Sequence, residues 1–278
     1  MVPAFEVLKS RIRVFQHPVK LLLEINLGAV GGDAPRLKLF ELAVDPASTV
    51  LDLLETLRAG QTAEDFPAYR HSCHHGSCGT CGALIGGRPA LLCLTTVAMA
   101  LDPADPSAAA TVPAVLRLSP LPGATVVAGI AVHPGDLFAS LPPGLDYLTT
   151  VDRVGKAALP ADPTLAAGAT PASAPAAAWP DERRTARLGV RFEACIECGL
   201  CRAASPVKAP FMGPAALAAF NCQRQKRPEQ AAAWLALAAG PDGAGVCQRH
   251  LACSKVCPQA VYPAKHIQLL RNALAGAS

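Results

Sequence analysis

At 278 residues with a net charge of +4 from 25 basic and 21 acidic side chains, the chain has room for two modest domains, and its 51% hydrophobic content excludes disorder throughout. One of the two longest charge-free stretches, Leu118 to Gly135, is interrupted at Pro120, Pro122 and Pro134, which excludes a membrane-spanning helix there, and dispersed charges give no support to nucleic-acid binding. The eleven cysteines are clustered and the N-terminus lacks an apolar signal-peptide core, so the expectation is a cytosolic chain whose thiols hold metal rather than disulfides.

In chain order, 11–16, 20–26 and 36–44 are rich in Val, Leu, Ile and Phe with partial alternation, and are predicted as strands. Ser48 and Thr49 stand as caps before a helix over 50–58, where Val50, Leu53, Leu54 and Leu57 share one face. A cysteine loop at 72–82 leads into a β-hairpin, 83–85 and 90–94, about the Gly86-Gly87 turn. From 156 to 180 the text is Ala- and Pro-rich without a periodic apolar face, which reads as a linker. Beyond it the pattern is helical over 213–222, from Pro228 to Ala239, and over 263–274 with Ile267, Leu270 and Leu274 in register. Neither G-x-G-x-x-G nor a P-loop occurs, so any flavin is expected on a partner.

Three cysteine constellations carry the chemistry. Cys73, Cys78, Cys81 and Cys93 are spaced C-x4-C-x2-C-x11-C, which contains the plant-type 2Fe-2S loop spacing, and Gly76, Gly79 and Gly82 let the loop wrap a small inorganic core with its N–H groups turned toward sulfur. A four-cysteine zinc site is the bland alternative, though zinc loops usually pair two C-x2-C knuckles. The second run, Cys195, Cys198 and Cys201, is like a bacterial ferredoxin run in which Ser205 stands before Pro206 where a fourth cysteine is expected. The third, Cys247, Cys253 and Cys257, precedes Pro258. These six thiolates fit one 4Fe-4S cluster plus an incomplete second site, or one zinc site with spare thiols.

The strings RHSCHHGSCGTCGALIGGRPALLC, CIECGLCRAASP, FMGPAAL and VCQRHLACSKVCP together resemble the iron-sulfur subunit of succinate dehydrogenase and fumarate reductase. The resemblance implies an α+β chain: a β-grasp 2Fe-2S ferredoxin domain over 1–153, an Ala/Pro-rich linker over 154–180, and an α-helical, bacterial-ferredoxin-like domain over 181–278. It implies that Cys73, Cys78, Cys81 and Cys93 bind the 2Fe-2S cluster, that Cys195, Cys198, Cys201 and Cys257 bind 4Fe-4S, and that Cys247, Cys253 and Ser205 occupy the ligand positions of a 3Fe-4S cluster. A serine binds iron only as a hard alkoxide, and Cys222, left over by the family pattern, is either its substitute or a buried helix residue.

The same resemblance implies an electron-transfer subunit, peripheral on the cytoplasmic face of the inner membrane. It would work between an FAD-containing flavoprotein acting on succinate or fumarate and a membrane-anchor cytochrome b or quinone-binding subunit, with quinone as the final partner. No catalytic residue and no dicarboxylate site are expected on this chain. CIECG and the lack of histidine after Cys247 are more similar to fumarate reductases that use a dihaem cytochrome, and VKAPF and Gln248 stand where the mitochondrial-type quinone pocket has tryptophans and histidine. His71, His74 and His75 are read as loop residues that tune the first cluster through hydrogen bonds, and Trp179 and Trp234 as packing residues. The competing readings are an iron-sulfur subunit of another flavoprotein or disulfide-reductase complex, and a zinc-stapled interaction module.

Overall fold

The computed structural model describes residues 18–28, 34–60, 66–101, 114–138, 194–207 and 210–276; the expected strand at 11–16, the linker, Trp179 and the arginines of 183–191 lie outside them. The chain divides into two compact units, Met1–His133 and Pro134–Ser278.

In the first unit, β1 (Val19–Leu27) alternates so that Leu21, Leu23, Ile25 and Leu27 point inward, and it pairs antiparallel with β2 (Arg36–Val44). Thr49 caps α1 (Val50–Ala59): its side chain accepts from the Asp52 N–H while Asp52 accepts from the Thr49 N–H, a reciprocal pair that satisfies two helix-end donors. The helix buries Val50, Leu51, Leu53 and Leu54.

The hairpin β3 (Gly82–Ile85) and β4 (Arg88–Leu91) turns through Gly86 and Gly87, both at positive φ, as the type of two-residue turn requires. The second strand stops at Leu91 rather than running to Leu94, because 92–94 form the turn that aims Cys93; a short helix, α2 (Val97–Ala100), follows. A strand that the sequence reading did not anticipate, β5 (Ala114–Ser119), is the middle of the sheet. The order is β2-β1-β5-β3-β4, with β1 and β5 parallel and the other pairs antiparallel. Leu23 is opposite Leu116, and Ile25 and Ile85 flank Leu118, so one apolar layer runs across three strands. A small hairpin of β6 (Val126–Ala128) and β7 (Ala131–Val132) completes the unit.

The described part of the second unit is helical. Its centre is α4 (Pro214–Lys226), preceded by the one-turn α3 (Leu200–Ala203) and followed by α5 (Ala231–Ala238), the one-turn α6 (Ala252–Lys255) and α7 (Pro263–Gly276). Residues 214–221 of α4 are all buried, and their alanines let α5 and α7 approach closely; Ile267 and Leu270 of α7 meet this face, and Phe220 stacks obliquely on Trp234 at 5.7 Å. The helix runs one turn past the expected 222 because nothing in 223–226 breaks it.

Leu54 is fully buried and Thr49 acts through two hydrogen bonds, so urea denaturation should rank Leu54→Ala, at about 2–5 kcal/mol, above Thr49→Ala, at about 1 kcal/mol. The opposite order would show that α1 is held by its cap rather than by the sheet.

Candidate metal centre

The first cysteine loop is pinned at both ends. At its start, the Ile130 N–H donates to the Ala68 carbonyl (2.9 Å), and Gly129, at positive φ, lies so close that a Cβ there would fall 2.3 Å from the same oxygen. At its far side, Gly76 (φ +79°) packs on Leu94, the neighbour of Cys93, and a Cβ would come within 2.6 Å of that side chain. Glycine at 76 thus serves both the turn and the close approach that folds the loop onto its most distant cysteine.

Within the loop the N–H groups of Ser77 and Cys78 each donate to Cys73 Sγ at 3.3 Å, Cys78 Sγ meets Thr80 Oγ1 at 3.1 Å, and Cys81 and Cys93 sulfurs lie 3.4 Å apart. Hydrogen bonding, first from Ser77, draws the Cys73 thiol down to about 5, whereas burial pushes Cys81 up to about 12. The three histidines are tied in: His75 bonds the Cys73 carbonyl and Ser77 Oγ, and His71 bonds His74 (2.9 Å). Glu55 of α1 accepts from Tyr69 Oη (2.5 Å) and pairs with Arg58 and His71. Burial works to raise the Glu55 carboxyl, but the bond from Tyr69 and the charges of His71 and Arg58 outweigh it and hold it below its ordinary value.

In the second unit Cys195, Cys198, Cys201 and Cys257 line one cavity, and Ser205, Cys247 and Cys253 line another. The starts of α4 and α7 wall both: Ala215 and Pro263 face the first cavity, Pro214 and Ala264 the second. Helix N-termini carry partial positive charge, which suits anionic sulfur. The turn between the cysteines needs Gly199 at φ +75°, where a Cβ would strike Leu137, and Glu197 also adopts positive φ while its N–H donates to Cys195 Sγ at 3.4 Å. The Val261 N–H donates likewise to Cys257 Sγ at 3.4 Å.

Burial first, then the charges of neighbouring thiols, pushes Cys195 up to about 12, Cys198 to about 11 and Cys201 well above the ordinary thiol range; Cys253 rises for the same reasons, through Cys247. Cys201 responds to Cys253 as well as to its own set, so the two cavities are electrostatic neighbours. Cys222 lines neither cavity; its sulfur lies 3.9 Å from His266 Nδ1, which itself meets Asn221 at 2.8 Å.

Among the described residues no three His, Cys, Asp or Glu side chains close on a single ion; the C-terminal sulfurs line the walls of cavities instead. Four thiols on the wall of the first cavity, with N–H groups aimed at two of the sulfurs, fit the donor preference of iron-sulfur clusters, and the second cavity offers two thiols and one hydroxyl.

In the metal-free chain, alkylation followed by peptide mass spectrometry should find Cys73 modified at a nearly constant rate between roughly pH 6 and 8, because its thiol is already ionised there, while Cys81 and Cys195 gain about tenfold per pH unit. A Cys73 rate climbing in parallel with the others would contradict the hydrogen-bond account.

Residues 26–138 match the family described as a 2Fe-2S iron-sulfur cluster binding domain. The chain is 30% identical over 242 residues to the fumarate reductase iron-sulfur subunit of Mycobacterium tuberculosis, spanning 84% of each chain. It is 32% identical over 232 residues to a mitochondrial succinate dehydrogenase iron-sulfur subunit of Oryza sativa subsp. japonica, spanning 80% of this chain and 64% of that one. Among solved structures, a chain of the Mycobacterium smegmatis Sdh1 complex in the apo form superposes over 94% of this chain and 98% of its own with a TM-score of 0.57; at 21% identity that likeness is one of fold. With the thiol-lined sites and these relatives together, the chain belongs to the iron-sulfur subunit family of succinate dehydrogenase and fumarate reductase.

Proposed function

We propose that this chain is the electron-transfer subunit of a succinate dehydrogenase or fumarate reductase complex, lying between an FAD-containing flavoprotein subunit and a membrane-anchor cytochrome b or quinone-binding subunit. The observation that carries the reading is the sorting of ten of the eleven cysteines into one loop and two neighbouring cavities. When bound, iron-sulfur clusters supply one-electron carriers; the chain supplies ligands, burial and hydrogen bonds that set their potentials.

In this reading Cys73, Cys78, Cys81 and Cys93 hold 2Fe-2S, and Cys195, Cys198, Cys201 and Cys257 hold 4Fe-4S. Cys247, Cys253 and Ser205 hold the third, 3Fe-4S cluster. The exclusion of Cys222 from both cavity walls supports Ser205 as the third ligand of that last set, since its buried side chain lines the same cavity and makes only a long, 3.5 Å contact to the Val207 carbonyl. The domain organisation 1–153, 154–180 and 181–278, with a β-grasp fold first and a bacterial-ferredoxin-like helical fold last, belongs to the same proposal. So do the absence of a dicarboxylate site on this chain and a position on the cytoplasmic face of the inner membrane through partner subunits. No helix among the described residues is long and apolar enough to cross a membrane.

Iron and sulfide analysis of the anaerobically purified complex, joined to electron paramagnetic resonance, tests the assignment. Cys78→Ala should remove the two-iron signal and succinate-to-quinone activity; retention of both would overturn the ligand set. Ser205→Cys should strengthen the three-iron signal, because a thiolate is softer and easier to deprotonate than an alkoxide, whereas Cys222→Ala should leave it unchanged. A three-iron signal lost with Cys222→Ala would place the third ligand there instead.

A further inference from the structure

The approach to the first cysteine loop is lined by a file of rings. Phe40 of β2 meets Phe66 at 5.7 Å, Phe66 meets Tyr69 at 5.9 Å, Tyr69 stacks on His71 at 5.4 Å, and His71 meets His74 edge-on at 5.0 Å. The file ends beside Cys73, which His74 directly follows. One carboxylate stands against it. Glu55 belongs to α1, whose Leu51 and Leu54 are buried, so it is carried by a fixed element. Its Oε1 accepts from Tyr69 Oη at 2.5 Å, and His71 Nε2 stands 3.3 Å from the same oxygen.

A carboxylate can only accept, so His71 carries a proton on Nε2, facing Glu55. With that proton in place the neutral ring offers Nδ1 as an acceptor, and His74 Nε2, 2.9 Å away, donates to it. Glu55 thus sets the direction of the bond between the two histidines. His74 has φ +60°, a left-handed conformation in which its Cβ crowds the backbone. The residue held there opens the turn that brings the N–H groups of Ser77 and Cys78 to Cys73 Sγ, each at 3.3 Å.

We propose that Glu55 is a positioning residue for the first cluster: through His71 it holds His74 in its left-handed conformation and so keeps two amide donors on the Cys73 sulfur. The proposal rests on Cys73 being a 2Fe-2S ligand, and it adds to that site a carboxylate that no cysteine spacing indicates. Its effect on the potential has the opposite sign to that of its charge. The two N–H donors stabilise the extra negative charge of the reduced cluster, so losing their alignment lowers the potential. A carboxylate acting through its charge alone disfavours reduction, so neutralising it raises the potential.

The purified complex is titrated potentiometrically while the two-iron signal is followed by paramagnetic resonance. A wild-type complex without that signal refutes the ligand reading itself, and variants are compared only where the signal persists. Glu55→Gln should lower the two-iron midpoint, changing the ratio of oxidised to reduced cluster at a fixed potential roughly tenfold, about 59 mV for one electron. Glu55→Asp keeps the charge and withdraws the oxygen from His71 by one methylene, so it should lower the midpoint too. Glycine adopts positive φ without the steric cost, so His74→Gly makes the hold unnecessary, and adding Glu55→Gln to it should cause no further fall. His74→Asn, which also tolerates that conformation, takes its place if the glycine variant assembles no cluster. A midpoint that is unchanged or raised in Glu55→Gln, unchanged in Glu55→Asp, or lowered equally by Glu55→Gln in both backgrounds overturns the proposal.

Discussion

A thiol must lose its proton to bind metal and must keep it to be buried comfortably, and the chain has to satisfy both demands at several places. Gathering thiols makes the conflict worse, because each ionised sulfur penalises the next. In the second unit burial dominates: Cys195, Cys198 and Cys201 all sit above the ordinary thiol range, and the charge of Cys253 reaches Cys201 as well. Metal binding there must displace protons, so site formation and pH are linked through the same groups. The N–H donors of Glu197 and Val261 and the starts of α4 and α7 are the counterweights built into the backbone.

The first unit resolves the conflict differently. Its loop leaves Cys73 half-exposed and gives it two amide donors, so one sulfur is ionised before metal arrives, while Cys81 and Cys93 stay in the core. Glycines at 76 and 79 take the positive φ values that such a wrap requires. Ser205 alters the balance in the second unit again, since a hydroxyl in place of a thiol removes one prospective charge from a crowded pair of cavities.

How much of this was legible in the sequence depends on how local the signal was. The alternation of Leu21, Leu23 and Ile25, the Thr49 cap and the Gly86-Gly87 turn are short-range patterns, and each lies where its chemistry implies. The strand β5 was not legible: Leu116 and Leu118 lie beside a proline-interrupted, charge-free stretch, and their partners on β1 are parallel and distant in the chain. Helices α3 and α6 are single turns inside cysteine spacings, too short for a period to declare itself. For the metal sites, spacing alone grouped the first four cysteines. The division of the other six came from family resemblance, and the two cavity linings follow the same division, with Cys222 in neither.

The turn after Cys93 also answers the backbone donors at the head of α1. The N–H groups of Val50 and Leu51 donate to the carbonyls of Thr95 and Leu92, and those of Val97 and Ala98 return bonds to Ser48 and Pro46. These four bonds make the segment around Cys93 part of the helix start, so that cysteine takes its place when the helix packs on the sheet. Cys73 and Cys78 lie on the loop whose Gly76 reaches the same segment by packing on Leu94. Of the first four thiols, Cys81 and Cys93 are therefore set by the packing of the unit, while Cys73 and Cys78 are the pair that solvent reaches.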